Sequence, residues 1–421
     1  MSGLTGIFNT SVQGMNTYAH ALSVVSTNID NVSTTSYKTE TANFETLLND
    51  VNPGPNNGHI GPKNFLAVKV IDTRNVDKQG QIGTTDRTMD LAINGRGFIV
   101  TNTASTGGSG TWQYTRDGSF KGQAVTLPDG STGSLLTTTN GNFVYGWPAN
   151  PDGTFTQTNN VQALVPVQVA TNSTVPSQAT TNISLQGNVA AGTTGREPVS
   201  LPYVDANGTS QTLTLGFTGV GNSTVWGVDG STSSGATVSL STPTVAFNSS
   251  GAMSSPTGGQ VQVTINDAAG PQTINLDLAK LTSFGGSSGV TVQQVQQDGF
   301  ISGVLQNTYF TSSGVLMGSY SNHETKALYQ LPVASFPNDN GLNALQGNVY
   351  AQSQASGAPT LQAIGNSPTS TQFVVGALEQ STVDLSDQFA KMIVAQRAYT
   401  SSSKVLTTAD EMTQAVRDLI R

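Results

Sequence analysis

The side chains able to do chemistry are few in this chain, and they stand apart. The histidines are His20, His59 and His323, and none has a second His, Asp or Glu at a metal-binding spacing such as HExxH. His20 falls in a helical stretch, where packing or surface exposure is its expected role. Cysteine is absent, which excludes disulfides and Cys-ligated zinc or iron–sulfur centres. Gly95 and Gly97 in INGRGF lack the rest of a dinucleotide fingerprint, and a hairpin turn is the expected reading. Asp205 and Asn207 in DANG look like the start of a calcium loop, but no carboxylate closes it, so a β-turn is expected. Without a convergent acid, base or nucleophile, the residues argue against an enzyme, and neither metal nor cofactor is expected.

Composition narrows the classes further. Of 421 residues, 17 are Lys or Arg and 25 are Asp or Glu, a net charge of −8. So acidic and lysine-poor a chain suits nucleic acid badly. Only 10% of residues are charged and 36% are hydrophobic, too little repulsion and too much apolar surface for an acidic disordered chain. No window approaches the roughly 18 apolar residues of a membrane span. The first cation is Lys38, so a cleaved signal peptide is not expected either. The chain either stays in the cytoplasm or leaves by a route without cleavage, and its low-charge β body favours the second.

The informative spacing lies at the two ends. Val12, Met15, Ala19, Leu22 and Ile29 are separated by three, four, three and seven residues, the seam of a helix that packs on another helix. It stops in NIDNVSTTSYK, where Asn, Ser and Thr favour turns. Met392, Ala395, Tyr399, Leu406, Ala409, Met412, Val416 and Leu419 form a second stripe. No Gly or Pro interrupts Ala377 to Arg421, and as one helix that stretch measures roughly 66 Å. About eight apolar side chains at roughly 1.5–3 kcal/mol each offer about 12–24 kcal/mol before ordering costs. The stripes are therefore expected to find mates on neighbouring copies, leaving the termini poorly ordered in an isolated chain and helical in a polymer.

Between them the sequence is β. Asn-Gly and Asp-Gly pairs recur at Asn94, Asp117, Asp129, Asn140, Asp152, Asn207, Asp229 and Asp298, as tight hairpins require. QTLTLGF from Gln211, VQVTI from Val261 and TINLDL from Thr273 alternate as strands do. The expected architecture is multidomain. Residues 1–30 form an N-terminal helix, 31–71 a connection, and 72–165 with 299–365 a parent β domain. A second β domain is inserted at 166–298, a connection follows at 366–383, and a C-terminal helix occupies 384–421, the two helices forming a coiled coil.

Both ends resemble the flagellar rod and hook axial protein family. The N-terminal likeness rests on Gly14-Met15, Leu22, Asn28-Ile29, Asn31, Thr34 and Tyr37-Lys38. The C-terminal one rests on GALEQSTVDLSDQFAKMIVAQRAYTSSSKVLTTADEM, from Gly376 to Met412. MDLAINGRGFIV from Met89, YTRDGSF from Tyr114 and GVLMGSYSN add the parent β domain. Ser36 stands where the family tends to have Gly, and Thr382 where it tends to have Asn. Length and the second β domain are similar to the hook-type members; a distal-rod or other basal-body axial subunit is the alternative, and a secreted β-rich adhesin the alternative of another class.

The resemblance implies a structural subunit of a hollow, bendable tube that acts as a universal joint between rod and filament. Its partners would be further copies of itself, rod and hook–filament junction proteins, the hook cap and the flagellar type III export gate. It would lie outside the cell, in the hook, exported without a cleaved signal and inserted in no membrane. The assembly seam would use Val12, Met15, Ala19, Leu22, Ile29, Met392, Tyr399, Leu406, Met412 and Val416. Asn28, Asn31, Tyr37 and Lys38 would hold the connection to the β layers, and Phe44 and Leu48 form an apolar pair suited to docking on the export gate. Removing about Val167 to Asp298 is expected to leave a tube of altered flexibility.

Overall fold

A computed structural model describes residues 2–48, 65–126, 130, 132–169, 173–220, 224–267, 270–285, 289–364 and 371–419. His59 lies outside them. The chain divides into two compact units: Met1–Val169 with Tyr309–Met317 and Ala327–Arg421, and Ala170–Thr308 with Gly318–Lys326. The second unit thus begins four residues later than the expected insertion, runs ten residues further, and recruits a segment the sequence reading gave to the parent domain.

In the first unit, helix α1 spans Ser2–Asp30 and helix α2 spans Leu385–Leu419. They pack on one another within the single chain. Both termini are helical in the single chain and pair with one another, as the matching stripes lead one to expect, where the same reading had them poorly ordered outside a polymer. α1 accommodates its many hydroxyls by returning them to the preceding turn, Thr10 to the Gly6 carbonyl, Thr17 to Gln13 and Thr27 to Ser23. α2 begins eight residues after Ala377 because Ala377–Glu379 is taken by the sheet, and because the Asp384 carboxylate caps the helix through the Ser386 and Asp387 amides.

The two expected connections are themselves structured. Strands β1 (Glu40–Leu48) and β2 (Phe65–Arg74) pair antiparallel, with Glu40 opposite Arg74 and Phe44 opposite Val70. Strand β3 (Ile82–Thr84) pairs with Ala377–Glu379, and strand β4 (Leu91–Asn94) with Gln372–Val375. The chain end therefore returns into the β body before α2 departs. Phe98–Asn102 is flanked by Trp112–Thr115 and Phe143–Pro148. Over it Phe98, Tyr114, Phe336 and Tyr350 meet edge to face.

Two of three expected turns resolve differently. β4 and Phe98–Asn102 pair with different partners, so INGRGF is an arch between sheets and not a hairpin. Gly118 lies outside the left-handed region, and its place is set by proximity: a Cβ there would lie 1.7 Å from the Leu91 carbonyl oxygen. Asp205 does close a turn, its Oδ1 accepting from the Asn207 and Thr209 amides.

The second unit carries two sheets, one with Asn182–Val189 and Gln260–Asp267, the other with Arg196–Val204 and Ser210–Gly219. They share one core, including Leu201, Leu215, Phe217, Trp226, Val263 and Ile274. Strict alternation drives it: Val261, Val263 and Ile265 face inward, while Gln260 and Gln262 face out. No described helix is long and apolar enough to cross a membrane.

Candidate assembly site at the paired termini

α1 and α2 run antiparallel, and two contacts fix their register. The Asn28 amide donates to Gln388 Oε1 at 2.9 Å, and a Cβ on Gly14 would lie 3.1 Å from Ser402 Oγ. Both contacts obey one register, and that register sets Ala21 opposite Ala395. The facing residues are seven apart, Gly14, Ala21 and Asn28 on α1 against Ser402, Ala395 and Gln388 on α2, and all but the Asn28–Gln388 layer are small. Ala21, Asn28, Gln388, Ala395 and Ala409 are all buried. Small side chains let the backbones approach, so this row, rather than the large apolar residues, sets the contact.

The seam residues read from the sequence divide into two groups. Met15, Leu22, Ile29, Met392 and Leu406 are half-buried at the edge of the small row, and the register places Met392 within one turn of Leu22. Val12, Ala19, Tyr399, Met412 and Val416 are exposed, Met412 by 56%. With Val394 at 65% and Val405 at 49% they leave the helix pair with an unsatisfied apolar strip. Beside it, Tyr18, Val24, Val25, Phe44 and Val394 line a groove of about 320 Å³ between α1, β1 and α2. Phe44 is exposed and its ring centroid lies 5.6 Å from that of Tyr18. The side chain of Leu48 lies outside the described residues.

The connection residues meet at one place, below the helix pair. Asn28 is saturated: its amide donates to the Glu40 carbonyl at 2.8 Å as well as to Gln388, and its Oδ1 accepts from the Glu40 amide at 3.0 Å and the Tyr37 hydroxyl at 3.1 Å. Asn31 ends α1, donating from its side chain to the Thr27 carbonyl at 2.8 Å. Ser36 then turns the chain with φ +56°, the left-handed region that favours Gly. Its hydroxyl donates to the Arg116 carbonyl at 2.9 Å and its amide to the Glu379 carbonyl at 2.8 Å.

Lys38 enters the interior. Its side chain is wholly buried, and its Nζ lies 2.7 Å from Glu379 Oε1, which also accepts the Gly80 amide at 2.6 Å. The other Glu379 oxygen takes Arg116 Nε at 2.6 Å. Arg116 donates onward to the carbonyls of Gly97 at 2.8 Å and Gly95 at 2.9 Å, so the INGRGF arch is a clamp for a guanidinium. Burial and the neighbouring Arg116 push the Lys38 ammonium down to about 8, against the pull of Glu379. The cations of Arg116 and Lys38, with the Gly80 amide, hold the Glu379 carboxyl below its usual range although burial opposes them. Two cations thus share one carboxylate inside the protein. Around them Thr382 donates its amide to the Tyr37 carbonyl and accepts the Thr39 amide on its hydroxyl at 2.9 Å. Residues 36–39 and 379–382 are laced together.

The sequence reading found Asn28, Asn31, Tyr37 and Lys38 but missed Glu379 and Arg116, which complete the site, and Gln388, Gly14 and Ala21. A seven-residue repeat of small residues was the available signal for the last two. His20 is a surface partner, its Nε2 2.9 Å from the Asp72 carboxylate. Among the described residues no group of three His, Cys, Asp or Glu could hold a metal.

A family model for the flagellar basal body rod FlgEFG protein C-terminal region matches residues 374–419, covering α2 and the strands before it. One for the flagellar basal body protein FlaE D2 domain matches residues 180–300, in the second unit. The flagellar hook protein FlgE of Brucella suis biovar 1 is 30% identical over 424 residues, spanning 99% of this chain and 100% of that protein. The chain belongs to the flagellar hook protein FlgE family. FlgE of Salmonella typhimurium is 28% identical over 430 residues, spanning 98% of this chain and 99% of its own. A solved structure of Helicobacter pylori flagellar hook protein FlgE2 is 13% identical, with a TM-score of 0.47 over 71% of this chain and 100% of its own.

Proposed function

We propose that the chain is the subunit that polymerises into the hollow, bendable flagellar hook, the universal joint between rod and filament. It is a structural protein and not an enzyme. The observation that carries the reading is the helix pair at the termini, which satisfies one face inside the chain and leaves Val12, Val394, Val405, Met412 and Val416 uncovered. A strip that does not close on itself suits a contact repeated without limit.

In this reading the paired helices form the innermost layer as a coiled coil, and the exposed strip meets neighbouring copies. Asn28, Asn31, Tyr37 and Lys38 carry that layer out to the β body. The second unit, poor in charge, makes outer contacts weak enough to exchange as the tube turns. Rod and junction proteins and the hook cap meet the ends of the polymer. The subunit leaves through the flagellar type III gate without cleavage, and Phe44 with Leu48 serves as the docking pair; secretion undiminished by alanine at both would remove that role. Excising only 167–298 takes Val167 and Val169 from the first unit's core and leaves Leu305 of the second unit behind; a clean deletion follows the observed bounds.

Concentrated full-length protein viewed by electron microscopy tests the function: hollow tubes are expected, and monodisperse particles at every concentration refute it. Cells lacking the gene are expected to keep a rod and lose everything distal to it.

A further inference from the structure

The small-residue rows of α1 and α2 pose a problem that packing cannot solve. Each row repeats every seven residues, so sliding one helix by seven, about 10 Å, again sets small residues against small residues. The small rows alone hardly distinguish the two registers. One layer differs from the others: Asn28 opposite Gln388, polar and buried. A slip sets Asn28 against Ala395, or Gln388 against Ala21, and leaves a buried amide unpaired. A lone buried polar layer is a known way to specify helix register at some cost in stability.

The lacing beneath the helices points the same way. It ties residue 36 to 379 through backbone, 38 to 379 through an ion pair, and 39 to 382 through a hydroxyl. These ties lie just after α1 and just before α2, and Arg116 and Gly80 join them through Glu379 to the β body. The turns between residues 31 and 38 and between 379 and 385 are themselves hydrogen-bonded, so a slip of about 10 Å must break them.

We propose that Lys38, Glu379 and the Asn28–Gln388 layer are positioning residues that fix the axial register of α1 against α2, and so present the outer apolar strip to a neighbouring copy in one phase only. The strip's part in assembly rests on the function proposed above; the register claim concerns the single chain. The ion triad supports this assignment by its composition: a site built for stability alone would not bury a second cation on one carboxylate.

The test uses the absence of native cysteine. Ser23→Cys on α1 and Thr408→Cys on α2, both exposed, carry spin labels in the full-length monomer. The parent is expected to give one narrow distance distribution. Gln388→Leu with Lys38→Met is expected to give a second population, displaced along the axis by about 10 Å, while the denaturation midpoint of the first unit is retained. The same variant is expected to raise the critical concentration for tubes at least tenfold. A single parent-like distance in the double variant overturns the proposal, as does parent-like assembly. Gln388→Leu alone, which merely exchanges a buried amide for an apolar group, keeps the test open should the double variant fail to fold: a parent-like distance there also overturns it. If the parent itself forms no tubes, the function reading fails while the distance measurement still decides the register.

Discussion

Replacing Glu379 by Gln removes one charge from the centre of the junction, and the cost can be worked out from the two cations it leaves. The Lys38 ammonium is already held at about 8 in the folded chain, against 10.5 for the free side chain. Keeping it charged near neutrality therefore costs about 3 kcal/mol in the native protein. Without the carboxylate it can shed its proton, and at pH 7 the full cost of a neutral Lys38 is about 5 kcal/mol, so this residue adds at most about 1.5 kcal/mol. Arg116 cannot follow, because a guanidinium stays protonated. It keeps its carbonyl partners and loses one charged hydrogen bond, worth about 1.5–3 kcal/mol. The Gly80 amide keeps the remaining oxygen as its acceptor. The sum is about 3–4 kcal/mol at pH 7.

The sign with pH follows from the same shift. A lysine whose folded value is depressed makes the unfolded chain the better proton binder between about 8 and 10.5, so stability from this group rises with pH across that window. The deficit of Glu379→Gln should accordingly shrink by about 1 kcal/mol between pH 7 and pH 9. Urea denaturation followed by circular dichroism at the helix band reads it, since the only described α-helices belong to the first unit. A loss under about 1 kcal/mol at pH 7, or a deficit that grows with pH, would falsify the reasoning.

Other consequences are testable in the same protein. Met412→Glu with Val416→Glu should leave the denaturation midpoint of the monomer unchanged, because both positions are exposed, yet abolish tubes by sedimentation and microscopy. Gly118→Ala should cost more than about 3 kcal/mol by denaturation, because its Cβ lands on the Leu91 carbonyl. Ser36→Val should cost about 2 kcal/mol or more, combining a β-branched residue at positive φ with loss of the hydroxyl that meets Arg116. In the second unit, the Asp298 carboxyl is held down to about 2 although burial opposes it, by the side chains and backbone amides of Thr181 and Asn182. Its contribution is complete above the usual carboxylate value and is lost as pH falls through about 2. Trp226 fluorescence should report acid loosening between about pH 4 and 2 that Asp298→Asn flattens.

What the sequence revealed, and what it hid, follows the range of the interactions. The helices at both ends and the alternating strands of the second unit were legible because their periods are local, three to four residues and two. The face on which α1 and α2 meet was not, because it is marked by Gly14, Ala21 and Ala395, which carry little hydrophobic signal and matter for closeness. The pairing of the two ends was legible from their matching stripes; the expectation of dormant termini weighed the large apolar residues and gave no weight to the small row that holds the pair within one chain. Lys38 was visible as a connection, but its partners stand 78 and 341 residues away, and no spacing rule links Arg116 or Glu379 to it. INGRGF misled for a related reason: its glycines serve a guanidinium supplied by a different strand.

That distance has a temporal side. The salt cluster draws on the first tenth of the chain, on a point just past its first quarter, and on the last tenth. On the export route proposed above, whichever extremity leaves first, the cluster cannot form while the opposite extremity is still inside. A chain caught half-way along that route therefore holds neither the Lys38–Glu379 nor the Arg116–Glu379 pair, and the cluster locks only once delivery is complete.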